Sequence, residues 1–175
     1  MRAFTVHASI SAPREEVFDF VGDLAARVAF CDHYLRDFRL THPRSRGVGA
    51  AARFMLDAPF TAATWCEMAI AEYDRPRRIV ERGRLWRQGR TPAVAVYEFL
   101  QDVHGLTRVE VTVWSEPATI VDRLKEAMGA RRWLRRQTKT ALERLRLVFE
   151  ERREAPLARV RIAGYEPLKA SRFGA

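Results

Sequence analysis

The sequence predicts an α+β fold in which a curved antiparallel sheet of about seven strands wraps around one long helix near the C-terminus. Three observations predict it: an alternating first segment followed by short helical stretches, six strand-like segments between residues 34 and 114, and a long helical segment over residues 119–152. Strands and helices do not alternate along the chain. The sequence therefore disfavours the parallel sheets of nucleotide-binding folds.

The first elements are a strand and two short helices. Over residues 3–10, apolar side chains alternate with polar ones, which is typical of a strand with one buried face. Pro13, Glu15 and Glu16 then favour a helix start, because proline fits the first turn and carboxylates favour the positive end of the helix dipole. A second short helix is predicted over residues 24–30.

The middle of the chain predicts six further strands, separated by turn residues such as those of Pro43–Gly49 and Asp102–Gly105. The predicted strands are Tyr34–Thr41, Ala50–Leu56, Thr64–Tyr73, Arg78–Trp86, Val94–Leu100 and Leu106–Trp114.

Residues 119–152 predict one long amphipathic helix, free of proline and rich in Leu, Ala, Arg and Glu. Its buried stripe is centred on Thr138 and contains Leu134, Ala141, Leu142, Leu145 and Phe149. Trp133 and Leu147 fall on the opposite side, where the tail, a second copy of the chain or a membrane surface would cover them. We expect one domain over residues 1–152, with residues 153–175 as a tail that packs on it or is partly flexible.

Charge is concentrated at the C-terminal end. The net charge of +9 divides into +1 for residues 1–118 (16 basic, 15 acidic) and +8 for residues 119–175 (15 basic, 7 acidic). A solvated helix face explains this excess, and so does peripheral contact with an anionic membrane; no specific nucleic-acid partner is expected.

Composition fits a globular protein of one domain's length, 175 residues with 47% hydrophobic and 30% charged residues. The two cysteines lack partners at metal-ligand spacing, so we expect reduced thiols and no metal. Without a signal-peptide pattern or a long apolar run, the chain is expected to be cytoplasmic, as a monomer or homodimer without a cofactor.

Several short motifs, in order, resemble one superfamily. They are Ser11-Ala-Pro13 with Val17-Phe-Asp19, Gly47-Val-Gly49, Glu72-Tyr-Asp-Arg-Pro-Arg-Arg-Ile79, Tyr97-Glu-Phe99, Gly105-Leu-Thr-Arg-Val109 and Ala141-Leu-Glu-Arg-Leu145. Together the motifs are similar to those of START-related, birch-allergen-like proteins, within the bacterial polyketide cyclase/dehydrase and lipid-transport group. This resemblance implies a helix-grip fold over residues 3–152. It also implies a guest such as a lipid, sterol, polyketide, quinone or hormone, but not a particular chemistry.

The predicted concave face is apolar and aromatic, which suits a hydrophobic or amphipathic small molecule between the sheet and the long helix. A filled core would use the same residue types. If a cavity is present, the expected ligand-binding residues are Phe54, Leu56, Cys66, Met68, Ile70, Glu81, Leu85, Tyr97, Phe99, Val111, Met128, Arg131, Leu134 and Thr138.

Two charged residues fall on faces that should be apolar. Glu81 is in phase with inward-facing residues of its strand, and Arg131 lies near the centre of the helix stripe. Because a lone buried charge costs several kcal/mol, the two are predicted to pair inside the cavity. A shift of phase at a bulge, or at Gly129, would instead bring each of them to solvent.

Candidates for acid–base catalysis are few: His33, Glu81 and Tyr97. No nucleophile elbow, HExxH motif or glycine-rich phosphate loop is present. The sequence therefore favours a binding or transport protein for a hydrophobic small molecule. A polyketide cyclase or dehydratase is the first alternative, and a module that binds membrane or RNA through its basic helix is the second.

Overall fold

The computed structural model describes residues 1–41, 43–56, 64–85, 91–102, 105–117, 129–150 and the backbone of 161–162. In chain order its elements are β1 (Phe4–Ile10), α1 (Arg14–Val21), a 3₁₀ turn (Leu24–Arg27), α2 (Val28–Cys31), β2 (Leu35–Leu40), β3 (Ala51–Leu56), β4 (Thr64–Asp74), β5 (Arg78–Leu85), β6 (Thr91–Gln101), β7 (Thr107–Ser115), α3 (Arg131–Glu150) and β8 (Arg161–Ile162).

One curved sheet contains all the described strands, in the order β1-β7-β6-β5-β4-β3-β2-β8. Strands β1 to β7 pair antiparallel, and the two residues of β8 pair with β2 in parallel. The predicted α+β helix-grip fold is confirmed, with seven antiparallel strands, short helices after the first strand and a helix near the C-terminus. Residues 119–128 and 151–152, predicted as the two ends of that helix, lie outside the described residues.

Helix α3 packs on the concave face of the sheet through the predicted stripe. Leu134, Thr138, Ala141, Leu142 and Leu145 are all buried. Helix α1 covers another part of the same core, where the Phe18 ring meets those of Tyr73 and Phe99 edge-on at 4.9 and 5.1 Å between centroids. The sheet thus has one face covered by helices, and the candidate site lies under α3.

The β4–β5 pair contains a register shift, but it does not carry Glu81 to the surface. Ile70 pairs with Glu81 and Glu72 with Val80, so the irregularity lies at the residue between Ile70 and Glu72. Gly83 follows, where an added Cβ would lie 2.0 Å from the Glu67 carbonyl oxygen. Only glycine permits this close approach of the two strands.

Candidate functional site

An apolar cavity of about 70 Å³ lies between the sheet and α3. The helix contributes Leu134 and Thr138 to its wall, and the loop after α2 contributes Tyr34. The strand residues that line it are Leu35, Phe54, Leu56, Met68, Glu81, Leu85, Ala93, Val94, Ala95, Tyr97, Val111 and Val113. Its only charged lining residue among the described part of the chain is Glu81, so the cavity has one polar end.

Nine of the residues expected to bind a ligand line this cavity: Phe54, Leu56, Met68, Glu81, Leu85, Tyr97, Val111, Leu134 and Thr138. Cys66, Ile70 and Phe99 are buried in the core without lining it. Met128 lies outside the described residues. Tyr34, Ala93 and Ala95 also line the cavity, although the sequence analysis did not select them. The position of an alanine in a strand indicates which face it is on, but not whether that face borders a cavity.

The predicted pair of Glu81 and Arg131 is wrong. Glu81 is indeed buried, but Arg131 is exposed and donates from Nε and Nη2 to the carbonyl oxygens of Arg2 and Ala3, at 3.2 and 3.0 Å. Arg131 begins helix α3, and its long side chain reaches sideways to the chain entering β1 rather than inward. Arg131 therefore cannot be assigned to the cavity.

Arg27 takes the place predicted for Arg131. Its side chain is 3% exposed, and its Nη2 atom lies 2.5 Å from Oε1 of Glu81. Nη1 donates to the phenolic oxygen of Tyr97 at 2.5 Å, and Nη2 also donates to the carbonyl oxygen of Val21 at 3.1 Å. The guanidinium also lies over the Tyr97 ring, 5.0 Å from its centroid. The buried charges therefore form a neutral, hydrogen-bonded network behind the polar end of the cavity.

Burial governs the ionisation of this network. Burial is the largest effect on Arg27 and opposes its charge, but the Glu81 carboxylate, together with smaller contributions from Tyr97, Cys31 and Tyr34, outweighs it and raises the pKa of Arg27 above its ordinary value. Burial raises the pKa of the Tyr97 phenol, although Arg27 works in the opposite direction. Burial likewise raises the pKa of Cys31 to about 12. Tyr97 and Cys31 are therefore protonated near neutral pH.

His33, the remaining catalytic candidate, does not line the cavity. It is half-buried between α2 and α3, where Nε2 lies 3.2 Å from the Gln137 carbonyl oxygen and Nδ1 lies 3.0 Å from Nη1 of Arg144. A guanidinium only donates, so Nδ1 accepts and Nε2 carries the proton. Arg144 also pairs with Asp32 at 2.5 Å. This cluster holds the two helices together and lies apart from the cavity wall.

The far side of α3 differs from the expectation at one of two positions. Leu147 is exposed as predicted, at 41%. Trp133 is half-buried instead, and its ring meets Tyr34 edge-on at 6.5 Å. The prediction assumed that α3 is covered on the side of the sheet alone. Tyr34, in the loop after α2, also packs against the helix and covers the indole of Trp133. The tail proposed as its cover lies outside the described residues except for β8, whose backbone pairs with β2.

Two further features bear on function. Among the described residues, no three His, Cys, Asp or Glu side chains gather closely enough to hold a metal ion. No helix in the described part of the chain is both long and apolar enough to cross a membrane.

No protein-family model and no curated protein matches the sequence. Many solved structures match the fold. The KanY protein shares 17% identity with a TM-score of 0.66, over 85% of this chain and 97% of its own. A Nitrosospira multiformis protein shares 15% identity with a TM-score of 0.63, over 87% of this chain and all of its own.

The di-domain ARO/CYC protein BexL, from the BE-7585A biosynthetic pathway, shares 19% identity with a TM-score of 0.59. The match covers 85% of this chain and 50% of BexL. At these identities the similarities show the fold and leave the chemistry to the site itself.

Proposed function

We propose that this protein binds a neutral amphipathic small molecule in the cavity under α3. The observation that carries the proposal is the contrast within one cavity, where walls that are otherwise apolar include Glu81 and Tyr97. The apolar part of a guest would gain about 25 cal/mol for each Å² removed from water. The polar end would fix its orientation, as the few polar groups of small-molecule sites do.

Hydrogen-bond accounting predicts which polar group the guest carries. The phenolic oxygen of Tyr97 already accepts from Arg27, so its own proton is left to donate. The Glu81 carboxylate accepts only. A hydroxyl group satisfies both, because it accepts from Tyr97 and donates to Glu81. Since Arg27 already neutralises Glu81, a charged guest would bring an unpaired charge into an apolar site.

The size of the cavity favours a slim guest. A cavity of about 70 Å³ holds a few waters, whereas an engineered apolar cavity of about 150 Å³ is known to take benzene. The sterols among the guests that the resemblance implies are therefore too large for the cavity as it stands. A larger guest needs the cavity to widen; a slim, flexible chain needs the least widening, and the half-buried Met68 is the most adaptable side chain in the wall.

We prefer binding over catalysis because each of the three candidate catalytic residues is already engaged by another group or held protonated. Glu81 is engaged by Arg27, burial keeps Tyr97 protonated, and His33 serves the contact between helices. The resemblance to START-related proteins supports an apolar guest, whereas the similarity to BexL supports the fold alone.

Native mass spectrometry of the freshly isolated protein tests the proposal. We expect a bound, neutral, hydroxyl-bearing species that is lost from Ala95→Leu, because the added side chain fills the cavity. Ala69→Leu is the matched control: Ala69 is half-buried on the outer face, beside the groove of Arg53 and Trp65. It should keep the guest.

Circular dichroism establishes that both variants are folded, and Ala95→Val provides a milder filling variant. A wild-type protein without guest that also fails to take up any of a series of straight-chain primary alcohols, from short to long, would overturn the proposal. So would an Ala95→Leu protein that binds as much as the wild type.

A further inference from the structure

A second concave site lies on the other side of α3, outside the cavity. It is a groove of about 580 Å³ between the helix and strand β1, lined by Thr5, Val6, His7, Arg132, Arg135, Arg136 and Lys139. We call it the α3–β1 groove. It shares no lining residue with the cavity, so it belongs to a different surface of the molecule.

One wall of the α3–β1 groove is strongly cationic. Arg132, Arg135, Arg136 and Lys139 follow one another at helical spacing, so their side chains lie on one face over two turns. All four are exposed. Glu143 pairs with Lys139 at 3.6 Å, while the three arginines have no acidic partner within 4 Å among the described residues. This wall therefore favours an anionic occupant.

The other wall is the edge of the sheet. β1 is the terminal strand, and β7 is its only partner in the described part of the chain. Half of its backbone N–H and C=O groups therefore point away from β7, as in any edge strand. Arg131 already occupies the carbonyl oxygens of Arg2 and Ala3, which precede β1, so an added strand would pair along Phe4–Ile10 itself.

We infer that the α3–β1 groove binds an acidic peptide segment in extended conformation, as an added strand beside β1. A peptide main chain offers both donors and acceptors to the strand edge, whereas a phosphodiester backbone offers acceptors alone. A membrane surface is planar and does not enter a groove between a helix and a strand. Carboxylate side chains meet the cationic wall.

Strand geometry specifies the spacing of the acidic residues. Successive side chains of the added strand point to opposite faces, so only every second one faces α3. The preferred peptide thus alternates acidic and uncharged residues. A peptide with the same composition but contiguous acidic residues presents fewer carboxylates to the helix and binds more weakly.

Fluorescence anisotropy with a fluorescein-labelled peptide of alternating Glu and Thr tests this inference on the full chain. We expect saturable binding that weakens with salt and falls about tenfold or more in R132E/R136E, since reversed charges repel the peptide. R82E/R84E is the matched control, because it reverses the same number of charges and both arginines are exposed on the outer face of the sheet. It should bind within about twofold of the wild type.

Two competitor peptides and a hydrogen-exchange measurement separate strand addition from a general charge effect. A peptide N-methylated at every second amide, on the edge-facing side, should lose binding while its charges are unchanged. The peptide with contiguous glutamates should bind more weakly. Hydrogen exchange should show β1 edge amides that are open in the free protein and protected by the alternating peptide.

Equal binding of the N-methylated or the contiguous peptide would overturn the inference. So would β1 amides already protected without peptide, or tighter binding of oligouridylate RNA or phosphatidylserine vesicles than of the alternating peptide. None of these outcomes depends on whether the cavity holds a guest.

Discussion

Arg27 and Glu81 form a buried ion pair, and such pairs have an asymmetric effect on stability. Removing two charges from water costs several kcal/mol each, and their attraction returns about that amount when hydrogen bonds complete the geometry. Here Tyr97 and the Val21 carbonyl complete most of it, although Nε of Arg27 is buried without a hydrogen-bond partner. The pair therefore adds little net stability, but loss of one member leaves an unpaired buried charge.

This asymmetry predicts the outcome of a double-mutant cycle. Arg27→Met should lower the free energy of unfolding by about 3–5 kcal/mol, because the Glu81 carboxylate then lacks its partner. Arg27→Met/Glu81→Met should recover most of that loss, since both charges are removed. Urea denaturation of the wild type, Arg27→Met, Glu81→Met and the double variant measures the four free energies of the cycle.

The control for this cycle is Arg75→Met. Arg75 makes an exposed pair with Asp19 through two hydrogen bonds of 2.7 Å, and its loss should change stability little because solvent screens it. Equal stability of Arg27→Met and the wild type would contradict the assignment of Arg27 to the interior.

Of the buried pair formed by Arg27 and Glu81, the sequence identified only Glu81. Strand alternation placed Glu81 inside, and the requirement for a partner followed from the cost of a lone charge. Arg27 was missed because it lies in a short helical stretch, Leu24–Cys31, where the structure changes from a 3₁₀ turn to α2 at residues 27 and 28. A periodicity argument needs several turns, and this segment does not provide them.

At the scale of elements, the contact between α2 and α3 depends on a neutral histidine. Burial lowers the pKa of His33; the Gln137 carbonyl opposes this shift and the Arg144 guanidinium adds to it. In the unfolded chain its pKa is about 6.5. As pH falls through that value, the unfolded state takes up the proton first, so stability falls. The loss ends at the lower pKa of the folded state.

We therefore expect the free energy of unfolding to decrease between about pH 7.5 and about pH 5 by more in the wild type than in His33→Gln. Glutamine keeps a donor for the Gln137 carbonyl but does not titrate in this range. Urea denaturation at several pH values measures the difference, which removes the contribution of the carboxylates common to both proteins. An identical pH dependence for the two proteins would contradict the role of His33 in this contact.

For the long helix, helical periodicity predicted the buried stripe correctly but failed at two residues. The buried stripe from Leu134 to Leu145 was placed correctly, because a helix of twenty residues repeats its pattern over several turns. Arg131 and Trp133 were placed wrongly for opposite reasons. The first lies at the helix start, where a long side chain can reach the neighbouring strand, and the second is covered by a loop whose path no periodicity describes.

At the scale of the molecule, sheet and helices share one hydrophobic core, and the cavity is a gap in it. Leu142 and Leu145 are 1% and 0% exposed, in the same cluster as Phe99 and Val109 of the sheet. The seven strands and their curved antiparallel sheet followed from turn residues, alternation and the order of the elements along the chain. The volume under α3 did not, because it depends on the fit of some fifteen side chains to one another.

A shared core predicts cooperative unfolding. Leu142→Ala should cost about 2–5 kcal/mol, and it should destabilise the sheet as much as the helix, because the lost contacts belong to both. Far-UV circular dichroism and tryptophan fluorescence should therefore give one coincident urea transition, shifted to lower urea in the variant; Trp65 and Trp114 report on the sheet and Trp133 on the helix. Leu147→Ala, on the exposed face of the same helix, should shift it far less. A transition in which the helical signal is lost first, with the sheet intact, would show that α3 docks as a separate unit, and the cavity would then open without unfolding.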